Sequence, residues 1–108
     1  PYCLRRLRKQ YGEQLNIYRS ASFFIEMVAS DSDKWVGIQA VAEYMGLAPK
    51  ESIAFGDNYN DMRMLSEVGI GVAVSNAIDE VKAAAKSVTN RHDDDGVARF
   101  LQQHFQLI

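Results

Sequence analysis

Residues 56–61, with the sequence Gly-Asp-Asn-Tyr-Asn-Asp, contain the side chains best suited to chemistry in this chain of 108 residues. Asp57 and Asp61 supply two carboxylates, and Asn58 and Asn60 add neutral oxygen donors. Mg²⁺ prefers one or two carboxylates, with water and phosphate oxygens completing its coordination, so this spacing is compatible with a metal site. The glycine that opens the segment allows a sharp turn and a close approach of the backbone to a phosphate. The spacing is equally compatible with an Asx-rich turn in which Asp61 caps the following helix.

Lys34 could add a fixed positive charge to these carboxylates. It lies in the first turn of a predicted helix, 23 residues before Asp57. An ammonium group beside carboxylates and Mg²⁺ neutralises charge on a phosphoryl group during its transfer. A lysine in the first turn of a helix is more often simply exposed to solvent. Lys34 is therefore a candidate site residue only in combination with the acidic segment.

Two units of different architecture are predicted to position these residues. In the first unit, apolar residues recur at helical spacing over Tyr2–Tyr11, and Gly12 ends the helix. The β-prone runs Leu15–Arg19 and Phe23–Val28 then predict an antiparallel hairpin. The boundary between the two units is predicted near residues 28–33.

In the second unit strands and helices alternate, which predicts right-handed βαβ connections and a parallel sheet. The predicted strands are Ser52–Phe55, Ile70–Val74 and Ser87–Thr89. The first predicted helix begins at Asp31 or Asp33, ends at Gly46 and has a core face of Trp35, Ile38, Val41, Ala42 and Met45. Three more helices are predicted, at Asp61–Val68, at Ile78–Ala85 and near the end of the chain. The last of these helices has a predicted core-facing stripe of Val97, Leu101, His104 and Phe105. The acidic segment therefore lies at the carboxyl end of a strand, where ligands bind in parallel sheets.

Composition and charge exclude several classes of function. Twelve Lys and Arg against fourteen Asp and Glu give a net charge of -2, which argues against a nucleic-acid partner. No apolar run approaches the ~20 residues of a membrane helix, so no membrane partner is expected. Cys3 cannot form an internal disulfide, which favours a cytoplasmic location. His92 and His104 are too far apart for a zinc site, and His104 is expected near the core.

Four segments between Phe23 and Leu101 match the pattern of one family in order. They are Lys34, residues 56–61 with Met64-Leu65, the strand Ile70–Val74 with Asn76-Ala77, Val81-Lys82 and Ala85, and the helix start Asp94-Asp95-Gly96-Val97-Ala98. Together they resemble the C-terminal part of the Cof-type phosphatases, which are cap-bearing haloacid dehalogenase-like hydrolases. The resemblance implies an α/β fold, with the second half of a Rossmann-like core over residues 30–108 and the tail of an α+β cap over residues 1–29.

The resemblance also implies a role for each matching residue. Asp57 would bind Mg²⁺ directly, and Asp61 would hold a metal-bound water or steady Lys34. Lys34 would contact the phosphoryl group and the attacking carboxylate, while Asn60 would hydrogen-bond the phosphate. Asn76 is a further candidate that would shape the loop beside the site. The implied reaction is Mg²⁺-dependent hydrolysis of a small phosphomonoester, such as a sugar phosphate, through an aspartyl-phosphate.

The chain departs from the family at the nucleophile, which the family places in an Asp-x-Asp motif near its N-terminus. Asp31-Ser32-Asp33 is a poor substitute, because Lys34-Trp35 follows it in place of a Gly-Thr type pair. No strand with a Ser or Thr ligand fits between this tripeptide and Asp57 either. We therefore expect Asp31 and Asp33 to lie in a helix-capping loop. Because the nucleophile is missing from its expected place, we expect the chain to be the last part of a longer phosphatase, inactive by itself.

Two alternatives share the acidic segment, one within the same superfamily and one from another functional class. The phosphorylation domain of a P-type ATPase has a similar metal loop, but the ending Asp95-Gly96-Val97-Ala98 suits the phosphatases better. A remnant that binds metal or phosphate without catalysis is the second alternative.

Trp35 is expected in the core, while Tyr59 could equally line a substrate pocket. The strand that ends at Phe55 would lack its usual neighbour, so its free edge predicts self-association.

Overall fold

The computed structural model describes residues 2–21, 24–30 and 32–106, and the predictions made for Phe23 and Asp31 fall outside these ranges. The α-helices are α1 (Tyr2–Tyr11), α2 (Lys34–Met45), α3 (Met62–Glu67), α4 (Asp79–Ala84) and α5 (Gly96–His104). The strands are β1 (Leu15–Ala21), β2 (Phe24–Ala29), β3 (Ile53–Gly56), β4 (Ile70–Val74) and β5 (Ser87–Thr89). Short 3₁₀ segments occur at Pro49–Glu51, Tyr59–Asp61 and His92–Asp94. Within the described ranges, no helix has the length and apolar character needed to span a bilayer.

The N-terminal helix and hairpin agree with the sequence pattern. β1 and β2 pair antiparallel, with Leu15 opposite Ala29. α1 packs against this hairpin, where the Nε of Arg8 donates a hydrogen bond to the carbonyl of Ile17 at 3.0 Å. Leu4 and Ile17 are buried at this contact, so a small apolar cluster anchors the helix to the hairpin.

The second unit contains a parallel sheet in the order β3, β4, β5. Helices flank the sheet, which confirms the predicted α/β class. β4 lies in the middle, and its Val72 and Ala73 are fully buried, as a strand covered on both faces requires. In the described part of the chain β3 pairs with β4 alone, so its other edge is open.

The main core lies between this sheet and the helices that follow its strands. Trp35 contributes from α2, as predicted. The largest fully buried side chains are Leu65, Val68, Val72 and Val81. This core fixes α3 and α4 against β4, and it thereby fixes the loops at the carboxyl ends of the strands.

α2 has the predicted ends but only part of the predicted core face. The Asp33 carboxylate caps it by accepting from the Val36 amide, and Gly46 ends it with a φ of 71°, a left-handed conformation that favours glycine. Val41 is 59% exposed and Met45 is 62% exposed, so their predicted burial was wrong. The reason is that no described element covers this side of α2.

A groove of about 590 Å³ lies between α2, the segment that follows it, the first residue of β3 and Met64 of α3. We call it the α2–β3 groove, and its apolar lining is Ile38, Val41, Ala42, Met45, Leu47, Ala48, Ile53 and Met64. The sequence pattern therefore identified an apolar face correctly, but only part of this face is buried within the described residues: Trp35 and Ala42 are, whereas Val41 and Met45 are not.

The predicted stripe of α5 was also partly wrong. Phe100 packs edge-on against Phe55, with ring centroids 5.6 Å apart. Phe100 therefore lies on the inner side of α5, whereas Val97, His104 and Phe105 are all exposed. His104 stacks on Phe100 at the surface and does not lie near the core as expected.

A pair of identical substitutions tests this division between core and surface. Val81→Ala, at a fully buried position of α4, is expected to lower the free energy of unfolding by roughly 2 kcal/mol through lost burial and a cavity. Val41→Ala, at an exposed position of α2, is expected to change it by less than about 0.5 kcal/mol. Urea unfolding followed by circular dichroism measures both, and equal losses would contradict the described packing.

Candidate active site

Residues 56–61 fold back on themselves at the carboxyl end of β3. The Asn58 side chain accepts a hydrogen bond from the Tyr59 amide at 2.8 Å and begins the 3₁₀ segment that ends at Asp61. A Cβ atom added to Gly56 would lie only 2.6 Å from the Cβ of Asp61. The glycine is therefore required here because the Asp61 side chain occupies the space that a side chain at position 56 would need.

The Asp61 carboxylate gathers three donors from two parts of the chain. Its Oδ1 accepts from the Nζ of Lys34 at 2.5 Å. Its Oδ2 accepts from the backbone amides of Asp57 at 3.0 Å and Asn58 at 3.3 Å. The Asp61 side chain is only 5% exposed. These bonds compensate the desolvation of a buried charge and make the carboxylate a fixed point of the site.

Lys34 reaches Asp61 from the first residue of α2. Its Nζ contacts Asp61, and its side chain as a whole is 52% exposed to solvent. The sequence expectation that Lys34 and the acidic segment meet at one edge of the sheet therefore agrees with the geometry. Of the two roles implied for Asp61, this contact matches the steadying of Lys34.

Asp57 stands in a different environment from Asp61. It is exposed, and in the described part of the chain its carboxylate has no hydrogen bond or ion pair. Its backbone carbonyl accepts from the Ile78 amide at 3.4 Å, which ties this loop to the loop after β4. An open carboxylate on a tethered backbone is a suitable donor for a hard cation such as Mg²⁺. No group of three or more His, Cys, Asp or Glu side chains converges among the described residues.

A polar cleft of about 370 Å³ lies between the hairpin and this edge of the core. Lys34 and Asn60 both line it, so the two predicted phosphate ligands share one cavity. Asp57 is not part of its lining, and its link to Lys34 runs through Asp61. The remaining lining residues are Gly12, Asn16, Tyr18, Ser30, Asp33, Tyr59, Met62 and Arg63.

Two tyrosines place aromatic surface in this cleft. The hydroxyl of Tyr18 donates to Oε2 of Glu26 at 2.6 Å, and this bond raises the pKa of Tyr18 to about 12, with desolvation and nearby negative charge adding to the effect. Tyr59 is half-buried, and the guanidinium of Arg19 lies 5.3 Å from its ring centroid. Of the two aromatic residues considered for a substrate pocket, Trp35 lies in the core and Tyr59 lines the cleft.

Arg63 and Asn76 show what the sequence could and could not indicate. The Nη1 of Arg63 donates to Oδ2 of Asp33 at 2.6 Å, a pairing that no spacing rule reveals. Asn76 was a candidate for shaping a loop, and its side chain holds the His92 segment: Oδ1 accepts from the His92 amide at 3.0 Å and Nδ2 lies 2.6 Å from Nδ1 of the ring. Asp33 caps α2, as expected for a residue of the loop before the helix.

A family model described as haloacid dehalogenase-like hydrolase matches residues 2–101 of this chain. The chain belongs to this family. The resemblance drawn from the four sequence segments is thereby confirmed, and the parallel sheet with flanking helices agrees with it.

Relatives of known name point to phosphatases within the family. A putative phosphatase from Haemophilus influenzae is 40% identical over 99 residues, which cover 92% of this chain and 38% of that protein. The 5-amino-6-(5-phospho-D-ribitylamino)uracil phosphatase YitU of Bacillus subtilis is 46% identical over 83 residues, covering 77% of this chain and 31% of that protein. The solved structure of a subclass IIB sugar phosphatase of the family matches with a TM-score of 0.84 at 32% identity, covering 96% of this chain and 40% of that one. The chain therefore spans about a third to two fifths of the length of these relatives.

The buried position of Asp61 leads to an asymmetric prediction. Asp61→Asn replaces an acceptor with an amide that must turn a donor toward Lys34 or the backbone, and it is expected to lower the free energy of unfolding by roughly 2–4 kcal/mol. Lys34→Met leaves Asp61 with its two backbone donors and is expected to cost only about 1 kcal/mol.

Urea unfolding of both variants provides the measurement, with Asp79→Asn as the control because that side chain is exposed and solvated. The interpretation that the buried carboxylate organises the loop would be wrong if the Asp61 and Lys34 variants lost equal free energy of unfolding. It would also be wrong if the Asp79 variant lost as much as the Asp61 variant.

Proposed function

We propose that this chain is the last part of a Mg²⁺-dependent phosphatase that hydrolyses small phosphomonoesters of the sugar-phosphate type. In this proposal residues 1–29 form the end of its cap and residues 30–108 belong to its core. The observation that carries the proposal is the contact between Lys34 and the buried Asp61 beside a polar cleft, at the carboxyl end of β3.

The residues of this chain would share the work as follows. Asp61 holds the ammonium of Lys34, so that the free side of that group can contact a phosphoryl oxygen in the cleft. Asn60 lines the same cleft and can donate a hydrogen bond to the phosphate through its amide. These donors are most useful for charge that develops during phosphoryl transfer, because they are held in place before the reaction.

Asp57 would hold Mg²⁺, and Asp61 would support it from the same loop. When bound, the metal supplies positive charge that neutralises the oxygens of the transferring group. The open carboxylate of Asp57 supports this assignment, while the occupied carboxylate of Asp61 supports a role for that residue in holding Lys34. The nucleophile would be an aspartate that this chain does not contain, and the reaction would proceed through its aspartyl-phosphate.

The substrate class is inferred from the relatives and from the cleft. The names of two relatives specify organic phosphates, a phosphoribitylamino-uracil and a sugar phosphate. The cleft presents amide, hydroxyl and charged groups, which suit a polyhydroxylated leaving group.

The cytoplasmic location expected from Cys3 remains a prediction. Neither alternative, a P-type ATPase domain or a non-catalytic remnant, is favoured by these relatives.

Activity measurements test the proposal directly. The 108-residue chain is expected to release no phosphate from an aryl phosphate in the presence of Mg²⁺. The longer protein encoded by its gene is expected to do so with sugar phosphates and to stop when the metal is chelated. Asp57→Ala in that protein is expected to lower kcat/KM by roughly 10²-fold or more, because a direct ligand of the metal is lost.

Asp79→Ala is the matched control for the loss of a carboxylate, since that side chain points into solvent. Turnover by the chain alone that Asp31→Asn abolishes would show that Asp31-Ser32-Asp33 supplies the nucleophile. Binding of Mg²⁺ without turnover in the longer protein would support the non-catalytic alternative.

The open edge of β3 and the α2–β3 groove lead to a prediction about association. The chain is expected to form dimers or larger species as its concentration rises, because the described residues leave both a strand edge unpaired and an apolar groove exposed. Val41→Glu in the groove is expected to shift the chain toward monomer, whereas Val97→Glu on exposed α5 is not. Sedimentation equilibrium provides the measurement, and a monomer at high concentration would contradict the prediction.

A further inference from the structure

A second ion pair lies directly beside the contact between Lys34 and Asp61. Oδ2 of Asp33 accepts from Nη1 of Arg63 at 2.6 Å, while Oδ1 of Asp33 caps α2 by accepting from the Val36 amide at 2.8 Å. The Asp33 side chain is mostly buried, and Arg63 is 57% exposed. One carboxylate therefore fixes the start of α2 and links it to α3.

The two ion pairs join the same two segments. Asp33 and Lys34 are adjacent at the start of α2, and Asp61 and Arg63 flank the start of α3. Each acid faces a base from the other segment. This alternation disfavours exchange of partners, because a shift of one helix along the other would bring like charges together.

We propose that Asp33 and Arg63 are positioning residues for Lys34, an inference that rests on the proposed function for the use made of Lys34. A lysine side chain has a flexible stem, so the place where its ammonium rests depends on where its backbone is held. The contact between Asp33 and Arg63 holds that backbone against α3, at a fixed distance from the Asp61 carboxylate.

Arg63 also controls which carboxylate the Lys34 ammonium faces. Asp33 and Lys34 both line the polar cleft, so an unpaired Asp33 would be a second acceptor for the ammonium. Arg63 occupies the oxygen of Asp33 that is not used by the helix cap. Lys34 thus keeps Asp61 as its partner while its side chain lines the cleft.

The effect should be seen in the order of Lys34 more than in the stability of the fold. An ion pair with an exposed arginine contributes little to stability, because solvent screens it. The position of one ammonium is more sensitive, because a small movement of the α2 start changes its contact with Asp61. A probe of Lys34 itself is therefore the appropriate measurement.

The test measures proton exchange of the Lys34 ammonium by ¹⁵N-edited NMR of the 108-residue chain. Lys34→Arg identifies the signal by its loss. Arg63→Gln is expected to speed this exchange by about fivefold and to shift the signal, and Arg63→Lys is expected to restore most of the protection, because it keeps the charge. Arg99→Gln is the matched control, since Arg99 of α5 is exposed to the same degree as Arg63 and pairs with Asp94, far along the sequence from Lys34.

Asp33→Asn provides a second variant that keeps an acceptor for the helix cap and removes the charge. It is expected to affect the Lys34 signal as Arg63→Gln does, and a double substitution is expected to add little further change. An unchanged Lys34 signal in both single variants, or an equal change in Arg99→Gln, would overturn the proposal.

Kinetics of the longer protein separate this proposal from the proposed function. Arg63→Gln is expected to lower kcat roughly fivefold with little change in KM, and Arg63→Lys is expected to recover it. If the longer protein has no phosphatase activity while Lys34 still loosens in Arg63→Gln, the proposed function fails and the positioning role stands. If it is an active phosphatase and the Lys34 signal does not respond, the positioning role fails alone.

Discussion

The buried carboxylate of Asp61 is the interaction on which the rest of the site depends. A charge removed from water is costly unless donors surround it, and here three donors do so. Two come from the loop that carries Asp61, so the loop closes on itself. The third comes from the start of α2, so the loop is also fastened to a helix that is distant in the sequence.

Asp57 and Asp61 show how one loop gives two carboxylates different tasks. The Asp61 side chain is enclosed and fully engaged by donors, whereas the Asp57 side chain is open to solvent. The backbone of Asp57 is nevertheless fixed from two sides, by its amide to Asp61 and by its carbonyl to Ile78. An open group on a held backbone can receive a ligand without a large loss of conformational entropy.

Local patterns in the sequence predicted the elements well and the tertiary contacts only in part. The cap at Asp33, the stop at Gly46 and the apolar strand Ile70–Val74 follow from short-range rules, and the structure confirms them. The exposure of Val41 could not be predicted, because periodicity identifies an apolar face but not what covers it. The orientation of α5 likewise depends on tertiary contacts, such as that between the Phe55 and Phe100 rings, which no spacing encodes.

The residues of the candidate site likewise fall into those that the sequence identified and those that only the structure revealed. The acidic segment and Lys34 were found because their residue types and order resemble those of the family. Arg63 was missed, because its contact with Asp33 spans two helices and lies outside every motif. Which of two carboxylates is enclosed was also hidden in the sequence, since both belong to the same short segment and differ only in how the loop turns.

Because Gly56 packs closely against Asp61, the number of residues in this loop matters more than the identity of most of them. A 3₁₀ helix has about three residues per turn, so one inserted residue would swing the carboxylate by roughly a third of a turn away from Lys34. A different ring at Tyr59 would alter the wall of the cleft but leave that spacing intact. Insertions and deletions between positions 56 and 61 should therefore be tolerated far less well than replacements at position 59.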